Sequence, residues 1–240
     1  MASHFCYPGR ELDSLVEARN YYATILKYFR PYVGARVVEV GAGIGTFSNF
    51  LLGLESIEEL TALEIAANLF PILSRRFAAD SRVKCINGHL HHDLPAGKVD
   101  TVVSVNVLEH VENDGEFLRA ARNLLAPGGT LLLFTPALPA LYGSLDCQFG
   151  HYRRYTKAGL AKELQSAGFS LECLRYFDVA GVLGWFMANR ILRRESISTS
   201  DVRRYDRFVF SWSSWLERRW EPPVGKNLLA VGRRQRTTGE

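Results

Sequence analysis

Short apolar segments alternate along the chain with stretches that have helical spacing. Seven segments have the length and composition of strands, and they read VVEV, IEELTALEIA, RVKCINGHL, VDTVVSVNVLEHV, LLLFTP, SLECLRYFDV and KNLLAVGRR. Helical stretches separate the early strands. Strands that alternate with helices imply right-handed crossovers and a parallel sheet. The pattern therefore predicts an α/β fold.

A glycine-rich turn directly follows the first strand. Glu39 ends the apolar run, glycines follow at Gly41, Gly43 and Gly45, and the helical stretch TFSNFLLG begins at once. Such a turn needs glycine where φ is positive or where a ligand lies against the backbone, and the new helix offers unpaired N–H groups. The turn predicts a ligand site at the carboxyl end of the strand. Its third glycine comes one residue earlier than in the dinucleotide fingerprint, with Thr46 in its place.

Further polar residues follow other strands. Glu64 lies about twenty residues past the glycine turn, where nucleotide-binding α/β units place the carboxylate that binds ribose hydroxyls. A solvated acid at a helix start is the alternative. The fourth strand runs into Asn106, Glu109 and His110.

The spacing E-x-G-x-G-x-G resembles motif I of the class I S-adenosylmethionine-dependent methyltransferases. The VDTVVSVNVLEHV segment and the later LLAPGG resemble a second family signature, and together these features cover residues 36–136. The resemblance implies a Rossmann-like, seven-stranded, mostly parallel sheet with an antiparallel last strand, helices on both faces and a helical cap. It implies S-adenosyl-L-methionine as donor and S-adenosyl-L-homocysteine as product.

The resemblance also assigns donor-binding roles. Glu39 would contact the amino group of the donor, and the glycine backbone would hold its methionine end. Glu64 would accept hydrogen bonds from the ribose hydroxyls. Asn106 would line the donor near its methionine part. Related proteins carry an aspartate after the third strand for the adenine amine, and here that position holds His89, with Asp93 a few residues on.

Composition narrows the class of protein. The 240 residues are 47% hydrophobic and 22% charged, which is typical of a globular protein, and four scattered cysteines indicate reduced thiols. A net charge of +4 does not argue for nucleic-acid binding. No signal segment or apolar run long enough to span a bilayer is visible, so we expect a cytoplasmic protein. We expect one methyltransferase domain, divided into a helical cap (1–35), a nucleotide-binding core (36–178), a helical insertion (179–224) and a last strand with tail (225–240).

Three segments should reach the pocket at the carboxyl ends of the strands. They are the N-terminal helix SLVEARNYYATILKYF, which carries Tyr21, the segment PALPALYGSLDCQFGHYRRY, and residues 180–223. These are the expected acceptor-binding elements.

The second of these segments contains a loop, GHYRRY (residues 150–155), that is rich in polar aromatic and basic groups. It resembles a motif, D-x-x-x-G-H-x-R-R-Y-T, of a subset of bacterial methyltransferases. Arg153 and Arg154 can bind an anion, with Tyr152 and Tyr155 beside them, and His151 can accept a proton. His151 is the first candidate for a general base and His110 the second. The alternative is a structural network with Thr156 as a helix N-cap. We expect no metal site.

The last insertion carries aromatic residues at helical spacing. They are Tyr205, Phe208, Val209, Trp212, Trp215, Leu216 and Trp220. The pattern favours a cap helix that packs this apolar stripe on the domain. A homodimer interface and an interfacial membrane helix are the alternatives, and we expect no stable membrane anchoring.

The sequence therefore predicts a methyltransferase that acts on an O or N atom of a small, anionic metabolite. An NAD-dependent oxidoreductase is one alternative, against which the early third glycine argues. A non-catalytic methyltransferase-fold partner protein is another, against which the complete set of Glu39, Glu64 and the three glycines argues.

Overall fold

The computed structural model describes residues 5–7, 11–90, 94, 96–194, 196 and 198–235. Its strands are β1 Arg36–Val40, β2 Glu59–Leu63, β3 Val83–Ile86, β4 Val99–Val105, β5 Leu125–Pro136, β6 Phe169–Phe177 and β7 Asn227–Arg234. They form one sheet in the order β3-β2-β1-β4-β5-β7-β6, in which only β7 is antiparallel to its neighbours. The predicted seven-stranded, mostly parallel sheet is confirmed. Asp93 and parts of the predicted cap, insertion and tail lie outside the described residues.

Helices connect the strands and cover the sheet. They are α1 Glu11–Leu15, α2 Arg19–Phe29, α3 Thr46–Leu51, α4 Phe70–Arg76, α5 Asp114–Leu124, α6 Ser144–Phe149, α7 Lys157–Ser166, α8 Val179–Phe186, α9 Thr199–Arg204 and α10 Ser211–Glu217. Thr156 caps α7 by accepting the N–H of Gly159 at 2.9 Å, as the structural alternative for the GHYRRY loop proposes. The π-helical segment Met187–Ile191 continues α8, and a second π-helical segment, Tyr205–Phe210, joins α9 to α10.

Hydrophobic cores lie on both faces of the sheet. Successive strand residues point to opposite faces, so Val38 and Leu131 pack with helices α5 and α7, whereas Val37 and Leu132 pack with α2 and α3. This alternation between two covered faces explains why the central strands are apolar throughout. The ends of β1 and β4 lie side by side, with Val40 opposite Ser104. That edge is where a ligand site is expected.

The N-terminal helical segment is broken into α1 and α2, whereas the sequence predicts one helix. Ala18, which precedes α2, offers no side-chain cap. Instead the buried carboxylate of Asp206 accepts the N–H groups of Asn20 at 3.0 Å and Tyr21 at 2.8 Å. Because an insertion residue satisfies the first N–H groups of α2, the helix can start there without a local cap.

The insertion turns its polar side inward, so the prediction that its apolar stripe packs on the domain is wrong. Glu217 is buried and accepts the N–H groups of Asp178 at 3.0 Å and Val179 at 2.9 Å, at the start of α8. Trp212 is 68% exposed and Phe208 is 64% exposed. Two buried carboxylates that cap helices thus fix this orientation and leave the aromatic side outward. No helix among the described residues is long and apolar enough to cross a membrane.

Candidate active site

A cavity of about 350 Å³ lies at the carboxyl ends of β1, β2 and β4. Its floor is the glycine turn. Its other walls come from α2, from the loop that precedes α7, and from α8. The predicted site residues that line it are Tyr21, Glu39, Gly41, Gly43, Glu64, Asn106, His110, His151 and Arg154. The cavity therefore gathers residues from every segment that the sequence predicts to reach the site.

The three glycines of the turn do not all serve the ligand site. All have positive φ, at +69° for Gly41, +58° for Gly43 and +82° for Gly45. A Cβ on Gly43 would meet its nearest neighbour, Leu12, only at 3.7 Å, so this glycine leaves room at the cavity. A Cβ on Gly45 would lie 2.5 Å from the ring of Phe77, and Gly45 does not line the cavity. Its predicted donor contact therefore has no support from its position, and packing against α4 is what requires glycine there.

Glu39 is a buried acid on the cavity wall. Among the described residues, the hydroxyl of Ser48 donates the only hydrogen bond to the Glu39 carboxyl group. Burial raises the pKa of Glu39 to about 8, with the charge of Glu64 adding to the rise and the Ser48 hydrogen bond opposing it. A cationic group in the cavity would favour the ionised form of this carboxyl. The side chain thus fits the ammonium end of the expected donor.

Glu64 fixes the shape of the glycine turn. Its two carboxylate oxygens accept the N–H groups of Gly43 at 2.7 Å and Ala66 at 2.8 Å. Burial raises the pKa of Glu64, and the backbone hydrogen bonds oppose this shift. Each oxygen keeps a second lone pair. Contact with ribose hydroxyls therefore remains chemically available alongside the structural role.

The predicted adenine contact is not reproduced in the described part of the chain. His89 is exposed and does not line the cavity. Asn106, in contrast, lies in the cavity wall with a left-handed φ of +53°, and its N–H donates to the carbonyl of Phe134 at 2.8 Å.

His151 is held by a buried aspartate. Its Nδ1 lies 2.9 Å from Oδ1 of Asp146, which is fully buried, and the imidazole lines the cavity. Arg154 Nε donates to the same oxygen at 2.7 Å, and Asn189 of the insertion donates to Oδ2 at 2.8 Å. Burial opposes ionisation of Asp146, but His151 and Arg154 together hold its pKa below the usual value. An ionised Asp146 keeps the proton of His151 on Nδ1, so Nε2 can accept one.

The remaining residues of the GHYRRY loop lie away from the cavity. Arg153 pairs with Asp114 at 3.0 Å and donates to the carbonyl of Glu112, while the Tyr155 hydroxyl donates to Leu108 at 3.2 Å. Tyr152 is 56% exposed. The predicted acceptor roles of these three residues therefore have no support from their positions. Arg153 and Tyr155 fasten the loop, as the structural alternative proposes, whereas His151 and Arg154 line the cavity.

Glu109, His110 and His151 form a cluster whose potential ligand atoms lie within 4.8 Å of one another. One carboxylate and two imidazoles are a donor set suited to a divalent transition metal. Spacing along the chain does not show this cluster, because the fold brings His151 beside residues that are far from it in sequence. That no metal is bound stays a prediction. Burial, together with the charge of His151, lowers the pKa of His110 to about 4, so this imidazole is neutral.

A second cavity of about 300 Å³ adjoins the first, and both are lined by Leu15, Ala18, Tyr21, Trp185 and Lys226. The Tyr21 hydroxyl donates to Asn227 at 2.8 Å. The indole N–H of Trp185 is buried and has no hydrogen-bond partner among the described residues. Arg154 and Lys226 lie 5.0 and 5.5 Å from the Trp185 ring centroid.

Sequence reasoning missed two residues of this site. Asp146 was visible as the first residue of the D-x-x-x-G-H motif, and the motif could have identified it as the partner of His151. Trp185 had no local signal, because an apolar helix such as α8 gives no indication of which residue faces a cavity.

Comparison with known proteins agrees with this geometry. Residues 7–174 match the family described as a methyltransferase domain. The chain is 34% identical over 198 residues to the ubiquinone biosynthesis O-methyltransferase of Xanthomonas euvesicatoria pv. vesicatoria (strain 85-10), an alignment that covers 73% of this chain and 76% of the relative.

Solved structures share the fold at low sequence identity. The S-adenosylmethionine-dependent methyltransferase from Mesorhizobium loti aligns with a TM-score of 0.60 and 16% identity, covering 88% of this chain and 98% of that one. Haemonchus contortus phosphoethanolamine N-methyltransferase 2, in complex with S-adenosyl-L-methionine, aligns with a TM-score of 0.62 and 17% identity. The alignment covers 90% of this chain and 53% of that one.

The family match decides against the NAD-dependent oxidoreductase and the non-catalytic partner protein. The chain belongs to the class I S-adenosylmethionine-dependent methyltransferases.

Proposed function

We propose that this enzyme methylates a hydroxyl oxygen of a small molecule, with His151 as the general base. The observation that carries the proposal is the 2.9 Å contact between His151 and buried Asp146 on the cavity wall. A hydroxyl must lose its proton when its oxygen is methylated, and a neutral imidazole is suited to take it. The O-methyltransferase name of the 34% identical relative supports oxygen rather than nitrogen.

Donor binding falls to the residues at the glycine turn. Glu39 would meet the ammonium group, Glu64 the ribose hydroxyls, and Gly43 would leave the backbone accessible, while Asn106 would line the methionine part. When bound, the donor supplies a methyl group on a positively charged sulfur. The protein's contribution is then alignment of the two reactants and exclusion of water.

Proton removal falls to the His151–Asp146 pair. Asp146 orients the ring through Nδ1 and would stabilise the imidazolium that forms when Nε2 accepts the acceptor's proton. Asp146 is therefore a positioning residue, and Asn189 and Arg154 hold it in turn. His110, which is neutral and stacks edge-on against His151 with ring centroids 4.7 Å apart, limits the positions that the base can adopt.

The acceptor would lie against Trp185. The unpartnered indole N–H can donate to an oxygen of the acceptor, and Arg154 and Lys226 place positive charge beside it. These groups would stabilise an anionic acceptor or the negative charge that develops as a hydroxyl is deprotonated. The adjoining cavity offers space for the rest of the molecule.

The test is a methyl-transfer assay against matched phenols and anilines, with product analysis by mass spectrometry. His151→Gln should lower kcat about 10²–10⁴-fold, while affinity for S-adenosylhomocysteine, measured by calorimetry, stays near that of the wild type. His89→Gln, which changes an exposed histidine outside the cavity, is the matched control. Methylation of amines alone, or full turnover by His151→Gln, would overturn the proposal.

A further inference from the structure

Exposed apolar side chains are concentrated in the helical insertion. Among the described residues, twelve of the fifteen large exposed hydrophobic side chains lie between residues 183 and 224. Leu183 is 67% exposed, Phe208 64%, Trp212 68%, Trp215 48% and Trp220 55%. Scattered exposed hydrophobics need no explanation, but a cluster of this kind marks an interaction surface.

The outward orientation of this side is built into the fold. Asp206 and Glu217 use their carboxylates to cap α2 and α8 from within, and Ser213 between them is also buried. Rotating the helix to bury its tryptophans would remove both carboxylates from the N–H groups that they satisfy. The aromatic side is therefore held in the solvent rather than left there by loose packing.

Exposed arginines lie in the same insertion as these aromatic residues. The exposed residues Arg190, Arg193, Arg207, Arg218 and Arg219 form no ion pair within the part of the chain that the structure describes. The Arg219 guanidinium lies 4.0 Å from the ring centroid of Trp215, and that of Arg207 lies 5.4 Å from Phe208. Since Asp206 and Glu217 are buried, they offer little compensation at the surface.

We propose that this aromatic–arginine surface, formed by the exposed side chains of residues 183–194 and 205–220, docks reversibly on an anionic phospholipid bilayer. Tryptophan and phenylalanine rings enter the boundary between headgroups and acyl chains, and the arginines contact lipid phosphates. A second copy fits less well. A symmetric dimer would place this surface against itself and bring unpaired arginines together. The proposal concerns binding at the surface of the bilayer and does not depend on the identity of the acceptor.

Vesicle flotation tests the proposal with the full chain. The wild type should float with vesicles of phosphatidylcholine and phosphatidylglycerol, float much less with phosphatidylcholine alone, and lose binding as salt is raised. Trp212→Ser with Trp215→Ser should reduce the bound fraction more than tenfold. Ile72→Ser, which alters a residue on α4 that is 50% exposed, is the matched apolar control and should bind as the wild type does.

Charge is tested separately. Arg207→Gln with Arg219→Gln should weaken binding to phosphatidylglycerol vesicles and flatten its salt dependence, whereas exposed Arg75→Gln should not. Calorimetry with S-adenosylhomocysteine on the same variants should show unchanged donor affinity, which separates this proposal from the methyltransferase mechanism. Absence of wild-type flotation with anionic vesicles overturns the proposal whatever the variants do. A dimer in ultracentrifugation that Trp212→Ser with Trp215→Ser dissociates, without vesicle binding, would assign the surface to a second copy.

Discussion

Replacement of Glu39 by glutamine should make the ligand-free protein more stable at alkaline pH. Burial raises the pKa of Glu39 to about 8, against a reference value of 4.5. A difference of about 3.5 pH units, at about 1.4 kcal/mol per unit, corresponds to about 5 kcal/mol. This is an upper limit, since the folded protein can relax around the charge.

The direction follows from the protons bound in each state. Between about pH 4.5 and about pH 8 the unfolded chain has lost the Glu39 proton while the folded protein keeps it. The Glu39 contribution to the free energy of unfolding is therefore fully present below about pH 4.5 and is lost as pH rises to about 8. Glutamine has no proton to lose, so the variant lacks this decline.

Urea unfolding of both proteins, measured from about pH 4.5 to about pH 8.5, supplies the test. Other buried carboxyls, such as Glu64 and Glu109, contribute to both proteins and therefore cancel when the two are compared. The difference in unfolding free energy between variant and wild type should grow with pH, because only the wild type carries the Glu39 carboxyl. Glu55→Gln, at an exposed position, is the control and should show no such trend. Parallel curves for Glu39→Gln and wild type would refute the reasoning. The same variant should bind S-adenosylhomocysteine more weakly, since it cannot pair with the ammonium group.

Three further predictions concern single contacts. Glu64→Gln should weaken S-adenosylhomocysteine binding by roughly 1.5–3 kcal/mol per charge-assisted hydrogen bond lost, as measured by calorimetry. Trp185→Phe should raise the acceptor KM about tenfold, the effect of one lost hydrogen bond at about 1.4 kcal/mol, with donor affinity unchanged in the same calorimetric assay. Asp206→Asn should lower the free energy of unfolding by about 1–3 kcal/mol in urea, because the N–H groups of Asn20 and Tyr21 lose their carboxylate partner.

Other outcomes would change specific conclusions. Unaltered donor affinity in Glu64→Gln would mean that the carboxylate serves only the backbone of the turn. A loss of donor affinity in Trp185→Phe would place the indole at the donor rather than at the acceptor. Unchanged stability of Asp206→Asn would show that water satisfies the start of α2 equally well.

The sheet and the positions of Glu39 and Glu64 at the cavity could be predicted because their signals are local. Each central strand is a continuous apolar run, and Glu39 and Glu64 each sit at the end of such a run, where parallel strands bring their carboxyl ends to one edge. Positions with positive φ in the turn could also be predicted, because glycine is the residue that favours this conformation. What spacing could not show was that Gly45 serves packing while Gly43 faces the cavity.

The part of the cavity formed by the GHYRRY loop and the insertion depends on long-range contacts and was less predictable. Arg153 and Arg154 are adjacent in sequence, yet Arg153 pairs with Asp114 outside the cavity, whereas Arg154 pairs with Asp146 and itself lines the cavity. The orientation of the insertion was predicted wrongly because apolar periodicity identifies a face without saying whether it is buried. Here buried hydrogen bonds of Asp206 and Glu217 decide the orientation, and their partners come from distant segments.

Helix α8 is a wall only one helix thick. Gly181 and Trp185 line the second cavity, whereas Leu183 and Phe186 of the same helix are exposed. If a ligand on each side binds one position of this wall more tightly than another, the two binding free energies are coupled, and the coupling is reciprocal. If vesicles tighten acceptor binding by some factor, the acceptor must tighten vesicle binding by that same factor. The amount of enzyme on a bilayer would then report the supply of its own substrate.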